Sequence, residues 1–77
     1  MKISIKYFGV LAEITGCHEE QLSCRADRVS DVLEILLNKY PELKSNDFRV
    51  AQNKLVVNTD REVDGTEIAF LPPFSGG

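Results

Sequence analysis

Two glycines, Gly76 and Gly77, stand at the C-terminal end of the sequence behind Leu71-Pro72-Pro73-Phe74-Ser75. Lacking Cβ atoms, such a terminus can slide through a channel too narrow for any side chain. Its reactive group is then the α-carboxylate of Gly77. A carboxylate is a poor electrophile, but its oxygen can attack the α-phosphate of ATP to give an acyl-adenylate, which a sulfur or nitrogen nucleophile opens. On this reading the protein is itself the carried acyl group. Pro72 and Pro73 fix their own φ, bias the residues before them toward extended geometry and donate no backbone N–H, so a sheet stops there and the tail leaves straight. The other reading of the same residues is a frayed Gly-rich stub of the kind common at termini.

No second constellation in the chain carries chemistry. Cys17 and Cys24 are the only cysteines, too few for the disulfide framework of a small secreted domain, and free thiols are expected. Cys17-His18 and Cys24 lack the number and spacing of ligands that tetrahedral zinc requires. They read as a loop residue and a small apolar filler. His18 has no adjacent orienting carboxylate pattern, and Glu19-Glu20 reads as a solvated strand start. Phosphate-binding loops, nucleophile elbows and metal motifs are absent from the sequence. Any catalysts therefore belong to a partner, and no bound cofactor or metal is expected.

Composition describes the platform that must hold the tail. Seventy-seven residues with 43% hydrophobic and 27% charged content fit one small globular domain near the lower size limit for a self-supporting core. The net charge of −3 arises from 12 acidic and 9 basic residues without a basic run, which disfavours nucleic acid as a partner. No apolar stretch approaches the ~20 residues of a membrane span, and Met1 to Lys6 alternates instead of forming a signal-peptide core. A cytoplasmic protein is expected, away from membranes.

Periodicity places the elements. Ile3, Ile5 and Tyr7 alternate with Ser4 and Lys6 as a first strand with one buried face. Val10, Leu11 and Ile14 lie between Gly9 and Gly16 with the spacing of about two helical turns, Gly16 acting as the stop. Glu20, Leu22 and Cys24 alternate with Gln21 and Ser23 as a second strand. Ser30 reads as a helix cap and Asp31 as a charge favourable to the helix dipole, followed by an apolar stripe of Val29, Val32, Leu33, Leu36, Leu37 and Tyr40 that Pro41 ends. Ile35 falls off that stripe. Glu42 to Phe48 is a polar connection tethered by Leu43 and Phe48. Val50-Ala51-Gln52 and Leu55-Val56-Val57 flank Asn53-Lys54 as a hairpin. Asp64-Gly65 is a second turn, and Ile68 and Phe70 alternate in a closing strand that ends at the prolines. The order predicts an α+β β-grasp domain. A mixed sheet is crossed by one main helix, with a short helix besides, and the last strand lies parallel to the first. The domain occupies residues 1–71 and the extended tail residues 72–77.

The runs KYFGVLAEITG and VDGTEIAFLPPFSGG, together with the overall length, resemble the small subunit of molybdopterin synthase, a ubiquitin-like sulfur carrier. Most specific is the order and spacing of Asp64-Gly65, Glu67-Ile68-Ala69, Pro72-Pro73 and Gly76-Gly77. Phe74 stands where relatives usually carry a β-branched aliphatic residue. The resemblance implies that a ubiquitin-activating-like adenylating enzyme consumes ATP to activate Gly77 and that a sulfur donor converts it to a thiocarboxylate. It further implies that the tail of Pro72, Pro73, Phe74, Ser75 and Gly76 inserts into the large synthase subunit. Lysines of that subunit then help deliver sulfur to cyclic pyranopterin monophosphate for the dithiolene of molybdopterin. A heterotetramer of two carriers on a large-subunit dimer is implied as well.

Phe8, Leu55, Leu71 and Phe74 would form the docking patch beside the tail. Phe8 equally fits a role in closing the end of the core. A sulfur carrier for thiamine synthesis shares the fold and Gly-Gly end, but its chains usually run shorter and lack the Pro-Pro stalk. A ubiquitin-like modifier, joined through Gly77 to target lysines, and a purely structural interaction domain are the remaining readings.

Overall fold

The computed structural model describes residues 2–65 and 67–73. The alternation that begins the chain becomes β1 (Lys2–Tyr7), whose Ile3, Ile5 and Tyr7 are buried while their neighbours are not. A short helix α1 (Val10–Thr15) follows and stops at Gly16, which sits at φ 79°, ψ 11°, as the glycine spacing predicts. Next comes β2 (Glu19–Ser23), one residue earlier than the alternation predicts, so that Cys24 lies beyond the strand. The main helix α2 (Val29–Lys39) buries Val29, Val32 and Leu36, with Leu33, Leu37 and Tyr40 packed against the same core. Pro41 opens a 3-10 helix over Pro41–Ser45 that inserts the fully buried Leu43. The remaining strands are β3 (Arg49–Gln52), β4 (Leu55–Val56) and β5 (Glu67–Leu71). Asn53 and Lys54 both have positive φ, 51° and 72°, the geometry of a tight two-residue hairpin.

The five strands form one mixed sheet in the order β2-β1-β5-β3-β4. β1 pairs antiparallel with β2 and parallel with β5, which places Ile5 beside Ile68 and Tyr7 beside Phe70. β3 runs antiparallel to β5 on its other side, with Val50 opposite Phe70. The inward residues of these central strands meet α2 and Leu43 in one cluster. Phe70 is its aromatic centre, with Phe48 at 5.1 Å and Tyr7 at 5.5 Å between ring centroids. This is the β-grasp architecture that the element order predicts.

Helix α2 starts one residue before the expected cap. Ser30 lies inside the helix, with Arg28 at the N-cap, and Asp31 does the capping by accepting from the backbone N–H groups of Asp27 (3.0 Å) and Arg28 (2.9 Å). Those bonds hold the Asp31 carboxyl below its ordinary range. The next free N–H groups, on Val29 and Ser30, donate to the carbonyls of Arg61 (2.9 Å) and Thr59 (2.7 Å). A strap from the far end of the chain therefore supplies what a capping hydroxyl would. Buried Gln52 holds the same strap. Its Nε2 donates to the Glu62 carbonyl (3.1 Å) and its Oε1 accepts from the Asp64 N–H (3.2 Å).

Glu20 corrects the reading of a solvated strand start. Opposite Ile5 in the ladder, its carboxylate is aimed inward, with 15% of the side chain exposed. Oε2 accepts from the hydroxyls of Tyr7 (2.7 Å) and Tyr40 (2.8 Å), and Oε1 accepts from Lys39 Nζ (2.6 Å). Burial by itself would raise its pKa. The hydrogen bonds from Lys39, Tyr7 and Tyr40 outweigh burial and lower it, while burial and the bond to Glu20 push the Tyr7 phenol well above its usual value. Sequence missed this cluster because the partners of Glu20 lie 13 to 20 residues from it.

Because the folded pKa of Glu20 lies below its unfolded value, its stabilisation is present at neutral pH and lost as pH falls through the folded value. Glu20→Gln should cost about 1–3 kcal/mol at pH 7, seen as a lower Tm in thermal denaturation. The gap to wild type should begin to narrow as pH falls below the ordinary glutamate range, roughly pH 4, where the unfolded carboxyl protonates, and should close once pH is below the lowered folded value. An unchanged Tm, or a gap independent of pH, would refute this role.

Candidate functional site

The site is assembled at one end of the two central strands. Because β1 and β5 are parallel, the end of β1 at Phe8-Gly9 and the end of β5 at Leu71-Pro72 lie together. Leu71 is held on the far side by its ladder partner Arg49. On the near side the Phe8 N–H donates to the Phe70 carbonyl at 3.1 Å. The strand that carries the tail is thus clasped between two neighbours up to its last residue, and the ladder ends where proline withdraws the next donor. Pro72 is half-buried and Pro73 exposed, both beyond the strand. Phe74, Ser75, Gly76 and Gly77 lie outside the described residues.

Of the apolar residues expected beside the tail, the structure brings together two. Phe8, 45% exposed, and half-buried Leu71 both follow an inward-facing residue, Tyr7 and Phe70. Strand alternation therefore turns them toward the face of the sheet opposite α2. Phe8 does not close the core. Leu55 stands apart. It is the cross-strand partner of Gln52, which pairs in turn with inward-facing Ile68. Leu55 thus belongs to the opposite face from Leu71, and it is 69% exposed at the sheet edge. Its neighbour Val56, 55% exposed, takes the expected place. Val56 pairs with Ala51, and Ala51 pairs with Ala69, a low apolar floor leading from the sheet edge toward Leu71. The hairpin register, counted from Asn53-Lys54, would have found Val56 in the sequence.

Charge on this outer face stands on both sides of the tail root, because exposed Arg49 of β3 shares the face of its ladder partner Leu71. Lys6 and Glu67 form an ion pair at 3.0 Å, and the hydrogen bond that Lys6 donates to the Glu67 carboxylate raises the Lys6 pKa. The outer face is therefore paired-charge toward β1, while toward β3 and β4 it carries Arg49 beside Leu71 together with the apolar Ala51, Ala69 and Val56.

Cys17 and Cys24 are free thiols, both half-buried. Cys17 Sγ lies 3.8 Å from Thr15 Oγ1 and 3.9 Å from Glu20 Oε2. Among the described residues there is no group of three or more His, Cys, Asp or Glu side chains placed to hold a metal ion. None of the described helices is long and apolar enough to cross a membrane. What the described residues offer is a strand paired on both sides up to Leu71, ended by Pro72-Pro73, with the exposed apolar side chain of Phe8 beside it.

Comparison with known proteins agrees with this geometry. The ThiS family pattern matches residues 5–77. The chain is 31% identical over 83 residues to the molybdopterin synthase sulfur carrier subunit of Mycobacterium tuberculosis (strain ATCC 25618 / H37Rv), covering 100% of this chain and 99% of that protein. Its fold superposes with a TM-score of 0.86 on a putative molybdopterin converting factor, subunit 1, from Pyrococcus furiosus, at 26% identity over 96% of this chain and 99% of the other. The solution structure of small archaeal modifier protein 1 from Methanosarcina acetivorans matches with a TM-score of 0.77, at 28% identity over 99% and 96% of the two chains. The resemblance of the opening run and of the stretch from Asp64-Gly65 to Gly76-Gly77 therefore extends to the whole chain, which belongs to the ThiS family.

Proposed function

We propose that this protein is the sulfur-carrier subunit of a molybdopterin synthase, with the α-carboxyl of Gly77 as the point of attachment. The observation that carries the proposal is the root of the tail. A central strand clasped on both sides ends at Pro72-Pro73, shortly before Gly76-Gly77 in the sequence, in a domain in which Tyr7, Glu20, Lys39 and Tyr40 are committed to one another. The likeness to a molybdopterin synthase sulfur carrier over the full length of both chains supports the choice of pathway.

In this function a carboxylate oxygen of Gly77 attacks the α-phosphorus of ATP on an adenylating partner, and pyrophosphate leaves. Hydrosulfide delivered by a donor then attacks the acyl carbon, AMP leaves with the carbonyl carbon–oxygen–phosphate bond broken at carbon, and loss of the S–H proton gives the thiocarboxylate. Ionised at neutral pH and softer than a carboxylate, it is the better nucleophile toward the pterin precursor. Transfer occurs in the large subunit, where the glycines admit the tail to a narrow channel and exclusion of water protects the thiocarboxylate. Phe8 and Leu71, with Val56 behind them, form the docking face, and Phe74 lines the entrance.

A second reading is favoured by the similarity to small archaeal modifier protein 1. The same adenylate would then be opened by a lysine amine of a target protein, giving an isopeptide through Gly77.

Intact mass after incubation with the organism's adenylating enzyme, ATP and a sulfur source separates these readings. Exchange of one oxygen for sulfur, absent from a chain lacking Gly77, is expected of the carrier. Accumulation of isopeptide adducts with no thiocarboxylate would favour the modifier, and neither product would overturn the proposal.

Phe8→Asp should weaken binding to the large subunit by at least about tenfold, or roughly 1.4 kcal/mol. Its effect on stability should stay within about 0.5 kcal/mol, since the ring is already half in solvent. Leu55→Asp, on the other face, should leave binding within about twofold of wild type, well under that 1.4 kcal/mol. Titration calorimetry beside thermal denaturation checks both, and equal losses from the two variants would refute the face assignment.

A further inference from the structure

We infer that Gly9 is a positioning residue for the tail, because its bare Cα is the seat on which the Pro72 ring rests and this contact sets the direction in which the stalk leaves the domain. The inference rests on the proposed role of the tail. Gly9 occupies the corner between β1 and α1 at φ 59°, ψ −135°, a conformation that side chains rarely adopt. Both flanks of the corner are tied down. The Phe8 N–H bonds to Phe70 of the tail-bearing strand at 3.1 Å, and the Gly9 carbonyl accepts from the Ala12 N–H of α1 at 3.1 Å. A Cβ at position 9 would stand 3.1 Å from Pro72 Cγ, and 3.8 Å from both Cβ and Cδ of the same ring. The three nearest atoms to that absent Cβ are thus all in the first residue of the stalk.

The geometry explains why the stalk begins with a ring. A proline cannot swing about its own φ, so a ring held against a fixed corner transmits that corner's orientation to the residues beyond. The Leu71–Arg49 pair fixes where the tail starts, and the Gly9–Pro72 contact fixes where it aims. A tail aimed correctly before encounter avoids part of the ordering cost of binding. If only a fraction of molecules present the productive direction, apparent affinity falls by that fraction while the bound complex reacts as before.

Gly16 provides an internal control. It also has positive φ, 79°, but nothing lies within 4 Å of a Cβ built there. Any side chain is strained more at Gly9 (φ 59°, ψ −135°) than at left-handed Gly16 (φ 79°, ψ 11°), so the comparison is the step from alanine to leucine within each position, and only at position 9 does the larger side chain press on the stalk. Four variants, Gly9→Ala, Gly9→Leu, Gly16→Ala and Gly16→Leu, are to be compared as full-length chains. ATP–pyrophosphate exchange with the organism's adenylating enzyme is followed as a function of carrier concentration, with folding checked by circular dichroism. KM should rise in a graded way at position 9, about threefold for alanine and about tenfold or more for leucine, with kcat near wild type, as a falling competent fraction requires. The Gly16 pair should show equal, small effects. Adding Pro72→Ala to Gly9→Leu should recover part of the lost KM.

A nuclear Overhauser contact between the Gly9 α-protons and the Pro72 ring protons is expected in the unloaded wild-type chain, and its absence would overturn the inference whatever the variants do. Wild-type exchange with no grading at position 9, or the same pattern at positions 9 and 16, would overturn it too. Failure of the wild type to support exchange would strike the adenylation step instead, with the proton contact still deciding whether Gly9 seats the ring.

Discussion

Parallel pairing of β1 with β5 is the constraint on which the remaining structure depends. Two strands of the same direction cannot be joined by a tight turn, so everything between Tyr7 and Glu67 becomes one long excursion that must return to the centre of the sheet. The helix α2 fills that excursion and covers the inner face, and β3 and β4 extend the sheet beyond β5. Parallel pairing also brings the ends of the first and last strands together. Without it, the corner at Gly9 and the exit at Pro72 would lie at opposite ends of the domain, and the tail would leave from an unsupported strand.

Closing so long an excursion in 77 residues leaves a small core, and polar clasps supplement it at two places. At one end Glu20 draws together Tyr7 of β1, Lys39 at the end of α2 and Tyr40 just beyond it. At the other, Gln52 and the N-terminus of α2 hold the segment from Thr59 to Asp64. Each clasp joins the helix to the sheet through hydrogen bonds, which are directional where apolar packing is not. Together they fix how α2 lies across the sheet. Neither requires a capping serine, and in the first the ion pair from half-exposed Lys39 contributes less than the buried phenol of Tyr7.

The domain keeps its chemistry away from itself. Its phenols and its one inward carboxylate are satisfied by each other, and its tail is carried on a strand whose neighbours leave it little freedom. This division suits a molecule presented to catalytic partners: rigidity up to Leu71, stiffness through the prolines and small side chains at the tip. On that face the exposed side chains of Val56 and Phe8 offer the apolar surface, over Ala51 and Ala69, which are buried beneath it.

The sequence by itself determined the elements and their order, because each is written in local periods and stops. Alternation in Ile3-Ser4-Ile5-Lys6-Tyr7, the stripe from Val29 to Tyr40 ended by Pro41, Asn53-Lys54 at positive φ and Gly16 as a helix stop all act within a few residues. The tail was legible for the same reason, since proline and glycine carry their constraints with them. Contacts between distant residues were decided only by tertiary structure. Glu20 reads as solvated until β2 is paired with β1 and the inward face is set. Ser30 reads as a cap until Thr59 and Arg61 supply carbonyls from 29 and 32 residues away. Leu55 joins Leu71 in sequence-based expectation, but a register counted across three strands puts Val56 there. Gly9 looks like a spacer before a helix, and only the return of β5 beside β1 lays Pro72 upon it. Local patterns fix local backbone geometry, whereas the burial of a charge, the partner of a cap and the facing of a side chain depend on which strand lies next to which.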